Sequence, residues 1–246
     1  VFFGHGYQPF LEKYQANLAQ GPGLTTGFET ELAVLTAQAF KNIIPAERVR
    51  FTNTGTEAII HAMRIARAFT KKNDFMLIEG AYNGWVDAVN ISNFPSLQDV
   101  GEESKPNAVP GAGGLDRYAL ESTVIAPYNN LEITEKLLAA NKDRLAALIL
   151  EPVMIDIGFV EPDTTYLKGL RDLCDRYGGL LICDELLTGF RVPEGSCQKW
   201  YGVNPDLAIY GKAIANGHIL AAVGGSYEVM ESVASKGLTN FVGTFN

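Results

Sequence analysis

Gly179-Leu-Leu-Ile-Cys-Asp-Glu-Leu-Leu-Thr-Gly-Phe-Arg191 joins a short apolar run directly to two acids. Leu180 to Cys183 have the length and composition of a buried strand. Asp184 and Glu185 follow at once, and an acid at the end of a buried strand is costly unless it has a partner. A helix cap or a structural ion pair is the ordinary explanation, and a functional partner is the alternative.

A second apolar run downstream ends in a lysine. Residues 206 to 210 read as another strand, and Gly211-Lys212 follow it. Taken alone, Lys212 would be a solvated surface amine, which is the usual fate of a lysine. An acid after one strand and a lysine after another favour the functional interpretation, in which a ligand lies between them.

Strands and helices alternate along the chain. The runs 123–126 and 145–150 predict strands, and residues 131–141 and 166–177 predict helices. Because the strands are continuously apolar, they predict an α/β fold with a mostly parallel sheet covered by helices on both faces. We expect residues 1–246 to form one domain. In such sheets ligands bind at the carboxyl ends of the strands.

Two segments lie outside this alternation. Residues 30–40 predict a helix that carries Leu32, Leu35 and Phe40 on its apolar side. Residues 92–117 are rich in Ser, Pro, Gly and Asn, and they predict a long loop that could act as a lid.

Five predicted strands are followed by side chains that could bind a ligand or take part in a reaction. Asn53-Thr54-Gly55-Thr56 stand between a strand and a helix, where free N–H groups and the helix dipole suit a phosphate; a plain helix cap is the alternative. Tyr82, in a loop flanked by glycines, could stack on a flat ligand or serve as a packing anchor. Together with Glu151, Asp184 and Lys212, these residues predict one site at one sheet edge.

This set meets the requirements of pyridoxal 5'-phosphate. A lysine near apolar surface can act as a nucleophile or a Schiff-base partner. A carboxylate that faces a pyridine ring keeps the ring nitrogen protonated, and a phosphate seat with a stacking aromatic holds the rest. The sequence therefore predicts an enzyme that uses this cofactor.

The bulk composition excludes some other classes of protein. The chain has 246 residues, of which 47% are hydrophobic, and a net charge of −8, which argues against nucleic acid or an anionic membrane as partner. It holds no apolar run long enough to predict a membrane span. The three cysteines are odd in number and lack metal-ligand spacing, so we expect a cytoplasmic protein without a metal site.

As a set, these motifs resemble the large domain of class III pyridoxal-phosphate aminotransferases, which have fold type I. The resemblance covers essentially the whole chain. It implies that an N-terminal segment and a C-terminal small domain are missing, so we expect a fragment of a longer chain. The motifs that carry it are Asn53-Thr-Gly-Thr-Glu-Ala58, Tyr82-x-Gly84, Leu150-Glu-Pro-Val153, Asp184-Glu185 with Thr188-Gly-Phe190, Gly211-Lys212 and Gly243-Thr244.

The resemblance implies a role for each matching residue. Lys212 would form the internal aldimine and move protons between the substrate carbon and the cofactor, and Asp184 would pair with the pyridine nitrogen. Gly55 and Thr56 would hold the phosphate. The other implied roles belong to Tyr82 and Leu186 on the two ring faces, to Glu151 near the 3-hydroxyl, and to Thr244, which would reach the phosphate of the neighbouring subunit in a homodimer.

The first functional interpretation is an aminotransferase that moves an amino group between an amino compound and a keto or aldehyde acceptor. The stretch from Asp184 to Arg191 also resembles glutamate-1-semialdehyde 2,1-aminomutase, so intramolecular amino transfer is the alternative. A protein that binds the cofactor without turnover would be expected to lose Lys212 or Asp184, and both are present.

Two further residues bear on the substrate. Asn83 stands where a His is usual after the stacking Tyr, which leaves the cofactor chemistry intact and the specific substrate open. Arg191 is the candidate for binding a substrate carboxylate, with a structural salt bridge as the alternative.

Overall fold

The structure, a computed structural model, describes residues 2–20, 30–233 and 237–241. Within these residues seven strands form one sheet and two short strands form a separate hairpin. The strands are β1 (Arg48–Thr52), β2 (Asp74–Ile78), β3 (Gly101–Glu102), β4 (Lys105–Pro106), β5 (Thr123–Ala126), β6 (Leu145–Leu150), β7 (Leu180–Asp184), β8 (Leu207–Tyr210) and β9 (Ala221–Gly225).

Helices connect most of these strands and flank the sheet. The helix Gly55–Thr70 follows β1, as the Gly/Thr turn before it predicts, and Lys212 opens a single 3-10 turn after β8. The helices are α1 (Gln8–Gln20), α2 (Glu31–Ile43), α3 (Gly55–Thr70), α4 (Arg117–Glu121), α5 (Leu131–Asn141), α6 (Tyr166–Tyr177), α7 (Cys197–Trp200) and α8 (Tyr227–Met230), with the 3-10 helix at Lys212–Ala215.

The main sheet is mostly parallel, which confirms the prediction. Its strand order is β1-β9-β8-β7-β6-β2-β5, and the pairs from β8 across to β5 are all parallel. Strand β9 runs antiparallel to both of its neighbours, β8 and β1. The carboxyl ends of β1, β2, β6, β7 and β8 therefore share one edge of the sheet with the start of β9.

Both faces of the sheet are buried. Alternate residues of each strand point to opposite faces. Phe75 and Leu77 of β2 pack into one cluster with apolar residues of α3, whereas Met76 and Ile78 pack into another with residues of α2, α5 and α6. All six residues of β6 are buried. The continuous apolar runs in the sequence are the consequence of this two-sided cover.

Two segments differ from their predicted form. Residues 92–117 contain the antiparallel hairpin of β3 and β4, and Ser92 within the segment is buried, with its hydroxyl donating to Asn107 O at 3.0 Å. On α2 the predicted apolar side is only partly covered, since Phe40 is buried while Leu32 and Leu35 are 59% and 53% exposed. In the part of the chain that the structure describes, no helix has the length and apolar character to cross a membrane.

Candidate active site

A cleft of about 280 Å³ opens at the carboxyl edge of the sheet. The strands bring together there the residues that the sequence singles out, which stand at or just after the ends of five strands, β1, β2, β6, β7 and β8. Those that line the cleft are Gly55, Thr56, Tyr82, Glu151, Asp184, Leu186 and Lys212.

Asp184 is the buried acid of the cleft. It ends β7 and is 2% exposed. Its Oδ1 accepts from the Leu186 N–H and its Oδ2 from Asn83 Nδ2, each at 3.0 Å. Burial raises the pKa of Asp184 to about 6, and the Asn83 amide, the Leu186 N–H and the charge of Lys212 oppose that rise. A cation placed beside this carboxylate would favour its ionised form.

Glu151 is a second buried acid beside Asp184. It follows β6, and its Oε1 accepts from the Tyr82 N–H at 2.8 Å, so that the two loops are joined across the cleft. Burial, and after it the nearby charge of Asp184, raise the pKa of Glu151 to about 8. The protonated form of Glu151 is therefore available as a hydrogen-bond donor near neutral pH.

The N-terminus of α3 supplies an anion seat. Thr54 caps the helix, with its Oγ1 accepting from the Glu57 N–H at 3.1 Å. The first N–H groups of a helix have no partner inside the helix, and here they belong to Gly55 and Thr56, at the positive end of the dipole. Gly84, at φ +113°, brings the loop after Tyr82 against Thr56. This geometry suits a phosphate.

Leu186 lies between two glycines. A methyl group on Gly55 or on Gly211 would come within 2.5 Å of Leu186 Cδ2, so a larger residue at either position would require the Leu186 side chain to move. Leu186 thus presents an apolar surface between the N-terminus of α3 and the residues Gly211 and Lys212 after β8. Tyr82, half-buried, lines the same cleft.

Lys212 stands in an unusual backbone conformation. Its φ is +47°, in the left-handed region that residues other than Gly seldom adopt, and its side chain is exposed. Such a conformation costs about 1 kcal/mol or more, and functional sites are one place where such strain clusters. The turn places the Lys212 amine at the same edge of the sheet as Asp184. The positive charge of Lys212 opposes the rise in the pKa of Asp184 that burial causes.

Glu185, the next acid, takes no part in the cleft. It is fully buried: Oε2 accepts from the Thr188 hydroxyl and from Cys197 N at 3.1 Å, while Oε1 accepts from Gln198 N at 2.8 Å. Gln198 also donates through Nε2 to the Tyr210 hydroxyl. Glu185 therefore ties the start of α7 to the end of β7, which fixes the turn that carries Leu186.

One predicted site residue does not join this set. Arg191 is exposed and does not line the cleft; its guanidinium lies over the ring of Phe2, with Cζ 5.9 Å from the ring centroid. Thr244 lies outside the described residues.

Two residues of the site were missed by sequence reasoning. Asn83 was noted only as a departure from a pattern, yet it is the side-chain partner of Asp184. His218 lines the cleft and packs between Phe10 and Tyr14 of α1, at 4.8 Å between ring centroids in each case. Its place six residues after Lys212, in the connection back to β9, was the available signal.

The family and the relatives of the chain agree with this geometry. A family model described as aminotransferase class-III matches residues 3–245. A glutamate-1-semialdehyde 2,1-aminomutase of Acetivibrio thermocellus is 38% identical over 247 residues, which is 100% of this chain and 56% of that protein. The chain thus spans about half the length of the curated relatives it matches.

Solved structures resemble it over the same extent. An omega-transaminase from Sphaerobacter thermophilus superposes with a TM-score of 0.92 at 34% identity, covering 99% of this chain and 56% of the other. A structure described as a transaminase with PLP bound gives a TM-score of 0.87 at 30% identity, with the same two coverages.

Proposed function

Because the chain belongs to the class III aminotransferase family, we propose that it is the cofactor-binding part of a pyridoxal-phosphate enzyme that moves an amino group from an amino compound to a keto or aldehyde acceptor. One observation carries the proposal: a buried acid, an amine and a helix N-terminus, from three separate connections, line one cleft. A transaminase of known structure that resembles this chain holds the same cofactor.

The donor set fits the cofactor. The N–H groups of Gly55 and Thr56 would bind its phosphate, and Asp184 would accept a hydrogen bond from its ring nitrogen. Tyr82 and Leu186 would flank the ring, and Glu151 would face its 3-oxygen. When bound, pyridoxal phosphate supplies an electron sink for the bonds at the substrate's amino-bearing carbon.

The residues of the chain would divide the remaining work. Lys212 Nζ would anchor the cofactor and, once free, would take a proton from the substrate carbon and return it at a neighbouring position. The negative charge of Asp184, held by two hydrogen bonds at 3.0 Å, would keep the opposing nitrogen protonated. Leu186 and Leu187 would exclude water from the apolar side of the cleft.

The partners and the location are part of the same proposal. A second copy of the protein would complete the site, with Thr244 reaching the neighbouring phosphate; exposed apolar side chains such as Leu32 and Trp85, which is 73% exposed, support a homodimer. A cytoplasmic location is supported by the state of Cys174, Cys183 and Cys197, which are buried and free of disulfides.

Intramolecular amino transfer is the second candidate, because the similarity to glutamate-1-semialdehyde 2,1-aminomutase extends over the full chain. The two reactions differ in their need for a second substrate. Turnover of an amino donor that depends strictly on added keto acid would exclude the mutase, whereas turnover of an amino aldehyde or similar single substrate without a keto acid would exclude the transaminase.

The cofactor assignment is tested by the absorbance of the full-length protein with added pyridoxal phosphate, followed by borohydride reduction and peptide mapping. We expect a visible band in the wild type, with the label at Lys212. We expect neither in Lys212→Ala, which removes an exposed side chain and leaves the core unchanged. A folded wild type without the band, or a label on another lysine, would contradict the proposal.

A further inference from the structure

Asn83 is the buried neighbour of the acid that the proposed reaction uses. It is 1% exposed, and its Nδ2 donates to Asp184 Oδ2 at 3.0 Å. The other oxygen of Asp184 is held by the backbone of its own turn, through the Leu186 N–H. Among the described residues, Asn83 is therefore the one side chain that donates a hydrogen bond to this carboxylate.

The orientation of the Asn83 amide follows from this contact. An ionised carboxylate only accepts hydrogen bonds, so the NH₂ end must face Asp184 and the carbonyl end must face away. Asn83 Oδ1 is buried and has no hydrogen-bond partner in the described part of the chain. A buried carbonyl oxygen without a hydrogen-bond partner destabilises the fold. The amide therefore makes its hydrogen bond to Asp184 while its carbonyl end stays unpaired.

An amide at this position brings neither a charge nor a proton that titrates. The groups that act electrostatically on Asp184 come from elsewhere: Glu185 from the end of its own strand, Lys212 after β8, and Glu151, which interacts with it after β6. A histidine or an acid in place of Asn83 would add an ionisation next to Asp184 Oδ2.

We propose that Asn83 is a positioning residue of the cofactor site, which aims Asp184 Oδ2 at the ring nitrogen and keeps the ionisation of Asp184 independent of any titrating side chain in the loop after β2. The inference rests on the proposed function, because it takes the ring nitrogen as the partner of Asp184. It predicts that a side chain that titrates at position 83 changes the pH dependence of cofactor binding.

Asn83→Asp is the discriminating variant, because it keeps the size of the side chain and replaces the NH₂ donor with an acid. At low pH the introduced acid is protonated and can still donate to Asp184. Once it ionises, the donor is lost and two like charges face each other, which strongly raises the pKa of one carboxyl group of the pair.

The experiment measures the dissociation constant of pyridoxal phosphate from the full-length protein by absorbance titration, in wild type and Asn83→Asp, from about pH 5.5 to about pH 8.5. The ratio of the two constants is expected near one at the acidic end. It is expected to rise by about tenfold or more at the basic end, which corresponds to one pKa unit. A ratio that stays constant or falls would overturn the role assigned to Asn83.

Asn93→Asp is the matched control. Asn93 is also a buried amide, 3% exposed, but its Nδ2 donates to Asn90 Oδ1 at 2.8 Å and not to Asp184. Its substitution is expected to lower stability and leave the pH dependence of cofactor binding parallel to that of the wild type. If it changed that dependence as Asn83→Asp does, a general effect of buried acids would explain both and the inference would fall.

If Asn83→Asp does not fold, Asn83→His gives the same test. Its ordinary pKa of about 6.5 lies within the measured range, so the ratio of dissociation constants must again vary with pH. A wild type that fails to bind pyridoxal phosphate at any pH would refute the proposed function. A wild type that binds it, with a pH-independent ratio for both variants, would refute only the role of Asn83.

Discussion

Glu151 makes the cofactor-free protein sensitive to pH. Its carboxyl group is 3% exposed, and its pKa is raised from the ordinary 4.5 to about 8, first by burial and then by the charge of Asp184. A raised pKa in the folded state means that the folded protein holds a proton which the unfolded chain has already released. Stability contributed in this way is complete below the unfolded pKa and is lost as the pH rises through the folded pKa.

The size of the effect follows from the two pKa values. Between about pH 5 and about pH 8, the unfolded chain leaves Glu151 ionised while the folded protein keeps it protonated. Each pH unit in this window costs the folded state about 1.4 kcal/mol, so Glu151 alone removes about 4 kcal/mol of stability across it.

Glu151→Gln removes this dependence, because glutamine imitates the protonated acid and keeps a carbonyl oxygen that can accept from the Tyr82 N–H. The difference in free energy of unfolding between the variant and the wild type is therefore expected to grow by about 4 kcal/mol in favour of the variant from about pH 5 to about pH 8. Urea denaturation of the cofactor-free protein, followed by circular dichroism at both pH values, measures it.

Glu12→Gln is the control, because Glu12 is exposed on α1. We expect the free energy of unfolding of this variant to change with pH in parallel with that of the wild type. Parallel profiles for Glu151→Gln as well would show that Glu151 is ionised in the folded protein throughout the window. A wild type that gained stability relative to the variant as the pH rose would reverse the sign and refute the reasoning outright.

Two other substitutions have defined outcomes. Gly55→Ala would place a methyl group 2.5 Å from Leu186 Cδ2, so we expect about tenfold weaker binding of pyridoxal phosphate by absorbance titration. Adding Leu186→Ala should restore part of this binding. No restoration would show that the clash is not the cause. In Glu185→Gln the new NH₂ group must face either Cys197 N or Gln198 N, because these two N–H groups donate to different oxygens of Glu185. We expect the free energy of unfolding, measured by urea denaturation, to fall by about 2 to 4 kcal/mol. A fall of less than about 0.5 kcal/mol would show that the network is dispensable.

The sequence predicts the strands of this fold well because they are covered on both sides. The run 145–150 coincides with β6, whose residues are all buried, and the helices over 131–141 and 166–177 are also as predicted. The direction of β9 could not be predicted, since an apolar run has the same pattern in either orientation. Leu32 and Leu35 of α2 show a related limit: periodicity predicts the helix, but it does not say what covers each side.

The candidate site divides in the same way. Gly55, Tyr82 and Lys212 could be placed in advance, because a residue that directly follows a parallel strand must stand at the shared edge of the sheet. The contact of Asn83 with Asp184 joins residues 101 positions apart and depends on where two side chains point within their loops. Local sequence carries no record of that direction, and the same holds for His218 against α1.

The adjacent acids at the end of β7 show how one strand end can serve both structure and chemistry. Successive side chains of a strand point to opposite sides, so Asp184 and Glu185 cannot share a role. Glu185 accepts three hydrogen bonds from its own turn and from α7, which uses most of the capacity of a carboxylate. Asp184 accepts two from the surrounding protein, one on each oxygen, and retains acceptor capacity on the side that lines the cleft. Glu185 therefore fixes the turn, and Asp184 is the acid left with an acceptor to offer a ligand.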